Sequence, residues 1–152
     1  MSNSGVIIYT DGSCNTRTCL GGWAAIILFE QEKTVLQGLE LHTTHNRMEI
    51  TAVIKAIEFS IAKYPDLPIN IFTDSQYVAG LPGRKEKLVP QKFITKKGTE
   101  LKNADLIQNL FMYLASYPIT FVKVKAHQKN TGSENLNREA DMICRKIMRT
   151  GI

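Results

Sequence analysis

The chain has 152 residues, enough for one domain and too few for two ordinary ones. Its composition, 43% hydrophobic and 22% charged, is that of a globule with a core. The longest apolar runs fall short of the ~20 residues of a membrane helix, and the opening MSNSG lacks the basic and apolar regions of a secretory leader, so a cytoplasmic protein with no membrane association is expected.

The net charge of +5 is unevenly placed. Residues 84–102 carry seven Lys and Arg against two Glu, which accounts for the whole excess. Such a block suits a polyanion partner, or is simply a solvated loop. The three cysteines, Cys14, Cys19 and Cys144, are expected to be reduced thiols, with a Cys14–Cys19 pairing under oxidation left open. Their spacing, with no second Cys/His pair, argues against zinc.

Along the chain, residues 5–10 are β-branched and aromatic and predict a strand. Residues 11–20 are polar and predict a loop. Two more strands are expected at 21–29 and 34–41, joined by a turn, which makes an antiparallel meander. The period then changes. Ile50, Val53, Ile54, Ile57 and Ile61 recur at helical spacing, and Pro65 ends that helix. A short strand at 69–73 and a short helix at 75–80 precede the basic block. A helix at 103–116, a strand at 119–125, a loop at 126–132 and a closing helix at 134–148 complete the order β-β-β-α-β-α-α-β-α. This predicts an α/β fold with a mixed sheet covered by helices, since βαβ crossovers give parallel neighbours and hairpins give antiparallel ones.

Two strands end alike. VIIYTDGS runs from Val6 and INIFTDSQ from Ile69, so Asp11 and Asp74 each follow a Thr. If these strands are parallel neighbours ~4.8 Å apart, the carboxylates meet at matching ends. Like charges so close call for a proton or a cation between them, and an all-oxygen donor set favours magnesium or manganese. Two plainer readings compete: Asp74 as a helix N-cap, and Asp11-Gly12 as a turn. Glu49 lies at the start of the long helix, just off its buried face, although Asn46 through Glu49 also fits an N-cap with its N3 glutamate. Asp141 stands beside the apolar face of the last helix, and His127 lies in the preceding loop, where it is either solvated or placed to move protons.

Taken together, YTDGSC, the following GG, TTHNRMEI, FTDSQYV, VKAHQ and NREAD resemble the type 1 ribonucleases H, in order and approximate spacing, from Tyr9 to Arg145. The resemblance implies a five-stranded mixed sheet, three antiparallel strands followed by parallel ones, with flanking helices. It implies a single catalytic domain over residues 1–152, with a basic protrusion at about 81–102. It also implies an endonuclease that hydrolyses the RNA strand of RNA/DNA hybrids with two Mg2+ ions, Mn2+ being the substitute, and leaves 5′-phosphate and 3′-hydroxyl ends. By motif, Asp11, Glu49, Asp74 and Asp141 are the catalytic metal ligands, and His127 assists catalysis. Gly12, Cys14, Asn15, Asn46 and Gln76 are candidates for the minor groove, where 2′-hydroxyls mark RNA. Thr44 and the protrusion residues Arg84, Lys85 and Lys87 are candidates for backbone phosphates, whereas Arg47 is either a phosphate contact or structural. A monomer with no obligatory protein partner is expected.

Three features depart from the family pattern. The one tryptophan, Trp23, is outside the protrusion, where Leu81, Leu88 and Phe93 are left to pack. Arg17 sits in the loop after Asp11, where a small polar residue is usual. Thirteen residues separate His127 from Asp141. Two other readings remain at this point: a resolvase or integrase domain on the same fold, and a nucleic-acid-binding module that uses the basic block alone.

Overall fold

A computed structural model describes residues 5–125 and 132–150, with side chains from residue 135 in the second stretch. Five strands form one sheet in the order β3-β2-β1-β4-β5. They are β1 (Val6–Cys14), β2 (Gly21–Phe29), β3 (Glu32–Glu40), β4 (Ile69–Thr73) and β5 (Ile119–Lys123). β1 pairs antiparallel with β2, and β2 with β3, while β4 is parallel to both β1 and β5. The predicted mixed sheet is therefore the one observed.

Helix α1 (His45–Lys63) follows the meander and α2 (Gln76–Gly80) follows β4. The basic stretch holds a 3-10 turn at Pro82–Arg84 and the one-turn helix α3 (Lys85–Leu88); both were absent from the predicted order. Leu81 and Leu88 are buried there, and Phe93 packs on Phe111 of α4 (Ala104–Ser116), so aliphatic anchors hold the segment down. The last helix, α5, spans Gly132–Thr150. The predicted loop at 11–20 begins too early: β1 continues through Asp11 to Cys14 because Gly21–Trp23 on β2 supply ladder partners for Gly12–Cys14. Polar composition masked a strand whose partner is distant in sequence.

The central strands β1 and β2 are largely buried on both faces. Val6 and Ile8 point toward α1 and α4, joining Ile50, Val53, Ile57, Ile107 and Leu110 in one core. Tyr9, Ala24 and Ile26 point the other way, onto Ala140 and Cys144 of α5. Two glycines let the helices approach closely. A Cβ on Gly12 would lie 2.5 Å from the Glu49 nitrogen and the Met48 carbonyl carbon, and one on Gly22 would lie 2.9 Å from Ile147 and Met148 side-chain atoms.

Because Gly12 would meet backbone rather than a movable side chain, Gly12→Ala should lower the unfolding free energy by about 1–3 kcal/mol through overpacking. A urea midpoint equal to that of the unsubstituted chain would contradict this packing account.

Candidate active site

The β1–β4 register runs from Val6↔Ile69 to Thr10↔Thr73, so the next residue on each chain is an aspartate. Asp11 is buried and Asp74 half-buried. Neither is a simple cap or turn. Ser75 caps α2, its hydroxyl accepting from the Val78 N–H at 3.1 Å, and Asp11 sits within the β1–β2 ladder opposite Ala24. Alternation along β1 sends Asp11 to the same face as Tyr9, and the Cys144 thiol on α5 donates to the Asp11 carbonyl at 3.3 Å.

Glu49 reaches the pair from α1. That helix is capped by Thr44, whose hydroxyl accepts from the Arg47 N–H at 3.2 Å, and not by Asn46. Glu49 is therefore one turn inside the helix, with 2% of its surface exposed. One of its oxygens lies 3.3 Å from His45 Nε2, and the other is buried with no hydrogen-bond partner among the described residues. Asp11, Glu49 and Asp74 each offer an oxygen, all within 4.8 Å of one another. Asp141 lies outside that trio but lines the same cleft, and its charge also bears on Asp11.

This crowding shows in the acidities. Burial, then the charges of Glu49, Asp74 and Asp141, push the Asp11 carboxyl up to about 9. Burial also raises Glu49, against the opposing pull of His45. The hydrogen bond to Glu49 in turn raises the His45 imidazole. The orphaned Glu49 oxygen and the hard, all-oxygen donor set fit a divalent cation.

The four acids line a cleft of about 570 Å³ together with Gly12, Asn46, Gln76 and others. Gly12 is buried against α1, whereas Asn46 and Gln76 are exposed at the rim. Cys14 is a free thiol that donates to the Thr43 carbonyl at 3.4 Å. Asn15 borders a neighbouring crevice, and Thr44 borders another beside Lys102 and Asn103. Arg84, Lys85 and Lys87 lie on the 3-10 turn and α3, beyond the residues that line the cleft. Arg47 makes a bidentate pair with Asp105 at 2.9 and 3.0 Å, which favours its structural reading: it ties α1 to the start of α4 and holds the Asp105 carboxyl low. His127 lies outside the described residues.

Two residues of the cleft had not been singled out. Asn137 on α5 is buried, and its amide donates to Asp74 at 3.4 Å. His45 braces Glu49. Each stands four residues before an acid on the same helix face, as the motifs NREAD and HNRME show.

The RNase H family model matches residues 3–149. The chain belongs to the RNase H family. Ribonuclease H from Wolbachia pipientis wMel is 38% identical over 149 residues, covering 97% of this chain and 98% of that protein. Ribonuclease H from Caldicellulosiruptor saccharolyticus is 35% identical over 146 residues, covering 95% and 96%. Among solved structures, LC9-RNase H1 superposes with a TM-score of 0.81 at 21% identity, covering 99% of this chain and 74% of that one. The PFV RNase H domain superposes at 0.76 with 24% identity, covering 99% and 98%. These two likenesses concern the fold. The protein is thus a ribonuclease H, a divalent-metal-dependent endonuclease that acts on the RNA of RNA/DNA hybrids.

For this ribonuclease H the acidities give a signed expectation. The folded pKa of Asp11 lies above its unfolded value, so its neutral form supports the fold at low pH, and that support is lost as pH rises toward about 9. In EDTA, Asp11→Asn should therefore stabilise the protein at pH 8 by about 1–3 kcal/mol, and by less at pH 4.5. Thermal melts at both pH values check this; a gain that does not grow with pH would contradict it.

Proposed function

We propose that this ribonuclease H hydrolyses the RNA strand with two divalent ions, Mg2+ by preference and Mn2+ as substitute, leaving 5′-phosphate and 3′-hydroxyl ends. The observation that carries this reading is the position of Asp11 among the acids. Its carboxylate lies within 4.8 Å of oxygens of Glu49 and Asp74, and Asp141 of the same cleft adds its charge. Asp11, Glu49 and Asp74 would hold one ion, and Asp141 would serve a second. When bound, the ions activate water, neutralise phosphate charge and stabilise the leaving oxygen.

The protein's own groups do the rest. Asn137 and His45 orient the carboxylates of Asp74 and Glu49, since each hydrogen-bonds its acid. His127 is assigned to proton transfer or product release. Asn46 and Gln76 face the cleft, where a minor groove would present its 2′-hydroxyls, with Gly12, Cys14 and Asn15 along the adjoining end of β1. Thr44, Arg84, Lys85 and Lys87 are assigned to phosphates, and the stretch at about 81–102 is the substrate-gripping protrusion of a single catalytic domain, residues 1–152, acting as a cytoplasmic monomer.

A labelled RNA/DNA hybrid should be cut in Mg2+ and left intact in EDTA, with duplex DNA untouched. Asp74→Asn should lower kcat by about 10³-fold or more while hybrid binding in EDTA stays within a few-fold. Cleavage that survives EDTA, or ends without a 5′-phosphate, would sink the proposal.

A further inference from the structure

Helix α1 opens His45-Asn46-Arg47-Met48-Glu49, so a histidine stands one turn before a carboxylate of the site. Residues four apart share a helix face, and that spacing lets two helical side chains close on one metal ion. Here the side chains meet, with His45 Nε2 lying 3.3 Å from a Glu49 oxygen. Two bonds of about 2.0–2.2 Å to one ion hold their ligand atoms roughly 3–3.5 Å apart, so the pair already stands at a chelating distance. The second Glu49 oxygen is buried without a hydrogen-bond partner among the described residues, which leaves this carboxylate bonding capacity beyond the His45 contact. His45 stands beside the oxygen trio of Asp11, Glu49 and Asp74, and the charge of Asp74 also bears on it. Its side chain is 59% exposed, and it supplies the imidazole in the cleft lining among the described residues.

A nitrogen donor changes which ion the place suits. Magnesium takes oxygen ligands and keeps much of its water, whereas zinc, nickel and copper take imidazole readily. We infer that His45 and Glu49, with Asp74 beside them, form a mixed nitrogen–oxygen site for a zinc-class divalent ion at the rim of the cleft. Magnesium gains nothing from the imidazole. A zinc-class ion held there competes for Glu49, so His45 decides which metals silence the enzyme. This inference rests on the proposed hydrolytic site, because Glu49 is assigned to both.

The test titrates the metal-free protein with Mg2+ and with Zn2+ by calorimetry. His45→Gln keeps a side-chain donor for Glu49; it should weaken Zn2+ binding by about tenfold or more and leave Mg2+ within about twofold. A role confined to orienting Glu49 would weaken both ions alike or neither. In hybrid cleavage with Mg2+, Zn2+ should inhibit the unsubstituted chain, and His45→Gln should need about tenfold more Zn2+ for the same inhibition. The chain has three histidines, so His42→Ala with His127→Ala leaves His45 as the remaining imidazole. One equivalent of Cu2+ on that double variant should show nitrogen superhyperfine splitting in its electron paramagnetic resonance spectrum. Thermal melts confirm that each variant is folded. Suppose the unsubstituted chain binds Mg2+ and cuts the hybrid, yet His45→Gln keeps its Zn2+ affinity, loses both ions together, or the nitrogen splitting is absent. The His45 site is then overturned while the hydrolytic reading stands. A chain that binds neither ion overturns both.

Discussion

The structure turns on a repulsion. Parallel pairing of β1 with β4 in the Thr10↔Thr73 register makes Asp11 and Asp74 neighbours, and α1 adds Glu49 to the same point. Two unit charges no more than 4.8 Å apart would repel by about 3.5 kcal/mol or more at an effective dielectric of 20 if both were ionised. The fold cannot relax this by sliding the strands. A one-residue slip of β1 would turn Ile8 away from the α1 core and Tyr9 away from α5, which exchanges two buried surfaces at once. Hydrophobic register therefore imposes the electrostatic conflict, which a proton on Asp11 relieves and a bound cation would relieve.

Other contacts set how Glu49 meets that point. Gly12 lets the first turns of α1 lie against β1, Thr44 sets where the helix begins, and the Arg47–Asp105 pair joins that start to α4. The basic stretch between α2 and α4 is thereby held near its end, where Lys102 stands beside Thr44, His45 and Asn46. Buried Leu81 and Leu88 hold its beginning. Placing Lys102 beside the start of α1 thus depends on apolar anchors and one bidentate ion pair.

Much of this was legible in the residues. The helical period from Ile50 to Ile61 and the apolar run Ile69–Thr73 announced α1 and β4, and the repeated Thr-Asp endings announced the shared site. What escaped depended on distant partners. Residues 11–14 look like a loop until Gly21–Ala24 pair with them. The Pro82–Leu88 turns were hidden because charge dominates a stretch whose two apolar anchors are seven residues apart. Asn137 and His45 carry no alarming charge of their own, and only their spacing to Asp141 and Glu49 hints at the cleft.

The distribution of charge also bears on how an acidic cleft handles a polyanion. Salt screens exposed charges over roughly 8–10 Å, and Arg84, Lys85 and Lys87 stand outside the cleft lining, so they act by steering a strand toward the surface more than by neutralising phosphate at the carboxylates. Neutralisation there has to be local. One guanidinium of the cleft, Arg145, is already joined to Asp141. That pair and the His45–Glu49 contact are what the structure sets against the acids themselves. On the proposed hydrolytic reading, a cation that took up Asp141 would compete with Arg145 for it, so the ion pair and the metal would oppose each other there.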